Sequence, residues 1–308
     1  MDGVFIPAAF SLAMQKFFYH CVVFLSKKLG RWIFVTYAWI VATGFFLFFP
    51  SRVGNSVRFY RVLFPDRSGF YHLWCAWRQF HNFTDVFLDR FLLQEFNDTR
   101  FTSEGLEHLK QALENGKGGI LLMSHMGNWE MAAHLLTRAF NQIRLLLYMG
   151  VKQKEQIEQL QKESLSRSGV RIIAVDQEGG SPFDIVEGIQ FIQAGGLVSL
   201  TGDLVWKKDQ RRIPVAFLGH EVHLPETPYL FALLSGAPLF IFFAFRKGKN
   251  RYHFTMSAPI LLSASIRAER TAVIRQSAQK YADILQETLR LHPLQWYHFE
   301  PFLGSKLK

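Results

Sequence analysis

Apolar positions along this chain follow two different patterns. Up to about residue 96 they come in long, aromatic-rich runs. From Trp32 to Ser51 no charged residue occurs, and at about 1.5 Å per residue a helix over 32–49 approaches the roughly 30 Å of a hydrocarbon core. A shorter apolar stretch, 17–26, is fenced by Lys16 and by Lys27 and Lys28. A single span, a re-entrant hairpin or two helices lying in an interface all fit these runs, and so, on length alone, does a buried core helix. Residues 52–96 carry aromatics at helical spacing (Phe59, Phe64, Phe70, Trp74, Trp77, Phe80, Phe83 and Phe87), and the Pro65 to Gly69 stretch divides them into two helices. Thr102, Ser103 and Glu104 then read as the start of a short helix that Asn115 and Gly116 end.

Beyond this point short apolar strands alternate with helices. Strands are predicted at 119–124, 143–148, 170–175, 197–201, 215–218, 239–245 and 252–256. Helices are predicted at 128–140, 153–168, 183–194, 226–235 and 264–290. Such alternation argues for an α/β fold with a mostly parallel central sheet flanked by helices. The expected organisation is a membrane-associated helical segment over 1–51, followed by a catalytic domain over 52–308.

Composition sharpens the first part of this picture. Hydrophobic residues make up 49% of the 308 and charged residues 19%, against about 25% charged in an ordinary soluble domain. With 31 phenylalanines there is more apolar surface than a core of this size calls for, and lipid is the simplest partner for it. The net charge of +10 and pI near 9.6 point to an acidic partner. Residues 1–60 hold Lys16, Lys27, Lys28, Arg31, Arg52 and Arg58 against one acid, Asp2, and these cations flank the apolar runs. That arrangement favours anionic lipid over nucleic acid, for which the chain carries no recognisable reading motif. The first fifteen residues lack a basic n-region and a cleavage site, so no cleaved signal peptide is expected. Cys21 and Cys75 have neither disulfide-framework nor metal-site spacing.

The chemistry concentrates in Ser124-His125-Met126-Gly127-Asn128-Trp129-Glu130, which follows a buried strand and opens a helix. Ligand sites of parallel sheets lie beyond the carboxyl ends of strands. With His125 in the turn and Glu130 one turn into the helix, Gly127 lets the chain fold back and bring imidazole and carboxylate together. A neutral imidazole held by a carboxylate is a competent general base for a hydroxyl. Backbone N–H groups around Gly127 and Asn128 are candidates for holding a tetrahedral oxyanion. On residue spacing alone, a capped helix with a solvated Glu130 accounts for the same pattern.

This block resembles the H-x4-D/E motif of the lysophospholipid acyltransferase superfamily, and is closest to the H-x-G-N-W-E form of the lipid A biosynthesis (lauroyl/myristoyl) acyltransferases. Further matches are Thr201-Gly202-Asp203, Pro214 to Gly219, Pro225 to Pro228, Gly236-Ala237-Pro238 with Arg246, and His292-Pro293-Leu294-Gln295-Trp296. The Phe83-Thr84-Asp85 and Asp89-Arg90 helix resembles one in members linked to aryl-polyene or glycolipid synthesis. The chain departs from the pattern at Leu204, where a basic group is common, at Leu294, where Glu is common, and at Glu226-Thr227. The resemblance implies an acyl carrier protein or acyl-CoA donor, a membrane glycolipid or lysolipid acceptor, no metal and no tightly held cofactor. It also implies a bacterial inner membrane location with the catalytic domain on the cytoplasmic face. His125 and Glu130 are then the catalytic pair, while Met126, Gly127, Asn128, Asp203, Lys207, Arg211, Arg212 and Arg246 face substrate. A catalytically silent lipid carrier is the competing class, and it has no use for a base–carboxylate pair.

Burial of apolar side chains is not screened by salt, whereas attraction to headgroups is. The intact protein should therefore sediment with membranes and stay there in 1 M salt (about 3 Å screening length). Release by salt alone would show that charge holds it and that the 32–49 run is folded into a soluble core.

Overall fold

The computed structural model describes residues 32–92, 99–116, 118–140, 143–151, 170–176, 182–205 and 210–307. Nine strands are present among them: β1 (Arg100–Glu104), β2 (Gly119–Met123), β3 (Leu145–Val151), β4 (Arg171–Asp176), β5 (Leu197–Thr201), β6 (Arg212–Phe217), β7 (His220–Pro225), β8 (Leu239–Gly248) and β9 (Arg251–Met256). Seven of them form one sheet in the order β1-β9-β8-β2-β5-β3-β4. β8, β2, β5, β3 and β4 are mutually parallel, and the β8–β9 pairing is the one antiparallel step. The α/β architecture with a mostly parallel sheet is as the alternation of elements predicts.

Eight helices accompany the strands: α1 (Trp32–Phe48), α2 (Pro50–Leu63), α3 (Gly69–Leu92), α4 (Leu106–Glu114), α5 (Trp129–Ala139), α6 (Pro182–Gln193), α7 (Thr227–Ser235) and α8 (Arg270–Leu291). Because strand side chains alternate, the sheet buries two separate apolar faces. Ile120, Leu122, Val198, Leu200, Ile241 and Phe243 pack with residues of α2, α7, α8 and the β6–β7 hairpin. Leu121, Met123, Leu145, Leu147, Phe240 and Phe242 pack with α4 and α5. Coverage on both faces explains why the central strands read as unbroken apolar runs.

Two expectations are corrected and one strand is added. Thr102 to Glu104 form part of strand β1, parallel to β9, and the helix starts only at Leu106 behind Gly105. Gly105 has φ +77°, and a Cβ there would run into the Met256 carbonyl, so the turn depends on glycine. Residues 220–225 were not read as a strand; they pair with β6 as a separate two-stranded hairpin. The helix expected over 32–49 ends at Phe48, and α2 leaves it at 89° with Pro50 in its first turn. Among the described residues no single helix is long and apolar enough to cross a membrane; α1 and α2 pass that test only as a bent pair. The helix expected over 153–168 lies outside the described residues.

α1 is neither free nor buried. One side packs on α3: Thr43 Oγ1 meets His81 Nε2 at 3.1 Å, Phe46 lies edge-on to Trp77, and Phe34 packs with Leu88. The other side leaves Trp32, Ile40, Leu47 and Phe48 largely exposed, and Phe70 and Trp74 of α3 extend that apolar surface. Since α2 runs from 50 to 63, it crosses the boundary expected at 51/52.

Burial holds His134 and His292 near a pKa of about 4, well below the usual 6.5; for His292, the charges of Lys247 and His253 add to the effect. Both stay neutral in the folded protein while the unfolded chain takes up protons below about pH 6.5, so stability is full above that value and declines as pH falls toward 4. The melting temperature should drop between pH 7 and pH 5, and His292→Gln should flatten part of that slope. A melting temperature independent of pH over this range would show that both imidazoles protonate freely in the fold.

Candidate active site

β2 and β5 lie side by side at the centre of the sheet, with Met123 opposite Thr201. Two residues beyond each, His125 and Asp203 leave the carboxyl ends of their strands facing one another. His125 Nδ1 lies 2.9 Å from Asp203 Oδ1, and the His125 backbone N–H donates to Asp203 Oδ2 at 2.8 Å. The indole N–H of Trp296 donates to the same Oδ2 at 2.8 Å. The Asp203 side chain is 0% exposed, and that of His125 is 29% exposed. A proton on Nδ1 directed at the carboxylate leaves the Nε2 lone pair as the basic position.

Burial works to raise the Asp203 carboxyl, but the His125 charge and hydrogen bonds, then His298 and Trp296, overcome it and hold the group below the usual carboxylate range. Such a carboxylate keeps the imidazole in one tautomer and stabilises the imidazolium that forms when it takes a proton.

The carboxyl-terminal segment holds this arrangement from above. Tyr297 N–H donates to the His125 carbonyl at 2.8 Å, and Gly127 N–H donates to the Gln295 carbonyl at 2.7 Å. The Gln295 side chain bonds both ways to the Arg246 backbone, accepting at 2.9 Å and donating at 3.1 Å. Gly127 has φ +74°, and a Cβ would strike the Ala244 carbonyl of β8, so this turn also requires glycine.

Several residues expected to face substrate are buried or already bonded within the fold. Met126 and Asn128 are buried. Asn128 caps α5 by accepting from Met131 N–H at 3.2 Å, and its amide lies 3.3 Å from the Tyr252 hydroxyl. Its backbone N–H donates to Ala244 at 2.8 Å, while that of Gly127 is held by Gln295. Neither N–H is therefore open to an oxyanion, because the same tight turn that positions His125 consumes them in holding β8 and the carboxyl-terminal segment. Asp203 has no exposed side-chain atom to offer an acceptor and serves His125 instead. Arg246 is taken up by two carboxylates of α3, Asp89 at 2.7 Å and Asp85 at 3.1 Å. Burial lowers its pKa, but these two acids more than offset that and keep it raised.

Glu130 sits in the first turn of α5 and is buried. Arg211 is exposed and lies 3.9 Å from Glu226. Arg212 opens β6, and Lys207 falls outside the described residues. Trp296, Gln295 and His298 belong to the site but were not singled out from the sequence; the His-Pro-x-Gln-Trp resemblance was the one signal pointing to the first two. No group of three or more His, Cys, Asp or Glu able to hold a metal ion occurs among the described residues.

Trp296→Phe keeps an aromatic ring at this buried position but replaces the indole with a smaller phenyl and removes one donor from Asp203. A carboxyl held low contributes stability above its usual range and loses it as pH falls through the folded value; with a donor removed, that loss moves to higher pH. The variant should unfold in acid at higher pH and lose about 1.5–3 kcal/mol at neutrality. Acid unfolding indistinguishable from the parent would show that the indole contributes nothing to the charge on Asp203.

The chain is 24% identical over 202 residues to proteins named phosphatidylinositol mannoside acyltransferase from two strains of Mycobacterium tuberculosis. The match covers 64% of this chain and 58% of the length of those relatives. The family described as bacterial lipid A biosynthesis acyltransferase matches residues 75–303, which include β2, β5, His125, Asp203 and Trp296. With most of its length inside that match, the chain belongs to the bacterial lipid A biosynthesis acyltransferase family.

Proposed function

We propose that the chain transfers a fatty acyl group from an acyl thioester, carried by acyl carrier protein or coenzyme A, to a hydroxyl of a membrane glycolipid or lysolipid. The observation that carries this reading is the His125–Asp203 pair on neighbouring strand ends, with Asp203 fully buried and His125 partly open. In the proposed step the acceptor oxygen attacks the thioester carbonyl while His125 Nε2 takes its proton. The tetrahedral oxyanion then collapses, the C–S bond breaks, and the leaving thiolate recovers the proton from the imidazolium. No serine or cysteine nucleophile is required, because the acceptor hydroxyl is itself the nucleophile.

Glu130 keeps a supporting role as a buried carboxylate one turn into the helix that follows His125. Lys207, Arg211 and Arg212, which follow Asp203 in the chain, are assigned to contacts with substrate anions. A glycolipid acceptor is supported by family membership and by the names of the mycobacterial relatives. Membrane attachment is supported by the exposed apolar side chains of α1 and the start of α3, which would lie in the bilayer interface with the catalytic domain on the cytoplasmic face of the inner membrane.

His125→Ala should lower turnover at least about a hundredfold, as loss of a general base does. Asp203→Asn should cost nearly as much, because the amide presents no charge to the imidazolium, and Glu130→Gln should cost less. Near-normal turnover in a folded His125→Ala protein sinks the mechanism, and a Glu130→Gln loss larger than that of Asp203→Asn reverses the two carboxylates.

A further inference from the structure

Behind the reacting pair, on its core side, lies a tyrosine that the acyl-transfer step leaves unused. The buried stripe of α8 includes Ile274, Ala278, Tyr281, Ala282 and Leu285, at the spacing of one helix face. With alanines at 278 and 282, Tyr281 is the bulkiest of these side chains, and it is 0% exposed. A phenylalanine would fill the same space without bringing in a hydroxyl that must be hydrogen-bonded once it is buried.

The hydroxyl finds its partners where β2 and β5 end. It donates to the Met123 carbonyl at 3.2 Å, and the Gly202 N–H donates to the same oxygen at 2.7 Å. His125 follows Met123 by two residues and Asp203 follows Gly202 directly, so both segments that carry the pair meet at this oxygen. Gly202 alone would satisfy the carbonyl; a second donor from another element fixes where the strand end points. Ser124, itself buried, hydrogen-bonds the Tyr281 phenol and accepts from the Met126 N–H at 3.1 Å, which ties the phenol to both sides of His125. A Cβ at Gly202 would stand 2.7 Å from Tyr281 Cζ and 2.9 Å from its hydroxyl, so the ring lies directly against the backbone leading into Asp203. Burial first, then the charge of Asp203, raise the phenol well above the usual tyrosine range, although the Ser124 hydrogen bond opposes them. Tyr281 is therefore a fixed neutral donor and takes no part in proton transfer.

We propose that Tyr281 is a positioning residue for acyl transfer: through the Met123 carbonyl and Ser124, its hydroxyl sets how closely Asp203 meets His125. This role rests on the reading of His125 and Asp203 as the base and its carboxylate. A base displaced by a fraction of an ångström leaves substrate binding intact and impairs proton transfer, so the effect falls on kcat and spares KM.

The test uses the full chain in neutral maltoside micelles, with lauroyl coenzyme A as donor and a phosphatidylinositol mannoside as acceptor. Tyr281→Phe keeps the ring and removes only the hydroxyl. It should lower kcat about tenfold and leave both KM values within about twofold of the parent. With Asp203 seated less closely the imidazolium is less stabilised, so the acidic limb of kcat/KM should move down by about half a pH unit. In an Asp203→Asn background the same substitution should cost no more than about twofold in kcat, because the contact through which it acts is already gone. A third readout needs no substrate: the low-field signal of the His125 Nδ1 proton, in 15N-histidine-labelled protein, should shift in Tyr281→Phe. If that variant fails to fold, Ser124→Ala decides by the same readouts, with kcat reduced, KM kept and the acidic limb moved the same way. An unchanged kcat, or an unchanged Nδ1 proton signal, overturns the positioning role and leaves the His125–Asp203 reading standing. A loss as large in the Asp203→Asn background as in the parent also overturns it, since the hydroxyl would then serve only the fold. Near-normal turnover in folded His125→Ala protein ends the reading of the pair and the positioning role together.

Discussion

The carboxylate of Asp203, removed from water at the centre of the molecule, is the constraint around which the rest is arranged. A buried charge of this kind persists only when donors surround it. Here they come from the His125 backbone, the His125 ring and the Trp296 indole. Those donors lie 78 and 93 residues away along the chain, so the site exists only once β2 has paired with β5 and the carboxyl-terminal segment has crossed back over the sheet. Folding and assembly of the candidate base are one event. Parallel strands suit this task because their carboxyl ends share a rim, which brings two loops from distant parts of the chain to the same point.

A second polar layer supports the first. Arg246 at the end of β8 is held by Asp85 and Asp89 of α3, Asp89 also accepts from the Tyr252 hydroxyl, and Tyr252 meets the amide of Asn128, the cap of α5. Through these contacts the helix that carries α1 on one side touches the helix that follows His125 on the other. A run of polar contacts thereby links α3, on which α1 packs, to the turn that carries His125. Gln295 closes the same layer from above by bonding to both sides of the Arg246 backbone.

Much of this was legible in the chain. Apolar runs such as 119–123 and 197–201 identify buried parallel strands because strands covered on both faces have no polar side to show. His125 stands out because a strand, a histidine, a glycine and a helix start occur together, and each is a local property. Strand β1 was missed because Arg100–Glu104 is a polar edge strand whose pairing with β9 lies about 150 residues away in sequence and leaves no local pattern. The hairpin strand β7 was missed because His220–Pro225 alternates only weakly and is stabilised by its neighbour.

Sequence by itself determined the fold class, the position of His125 at a strand's carboxyl end, the need for glycine at 127 and the apolar character of the amino-terminal helices. All of these follow from side-chain periodicity and backbone sterics within a few residues. Tertiary structure alone decided which carboxylate meets the imidazole at Nδ1. The spacing of five between His125 and Glu130 is visible on paper, whereas the approach of Asp203 depends on the register of two strands that are distant in sequence. It also decided that the N–H groups of Gly127 and Asn128 are already bonded, that Arg246 is neutralised, and that His298 lies beside the dyad. Hydrogen-bond partners and burial are properties of the packed molecule, because each depends on which distant atoms the fold brings within about 3 Å.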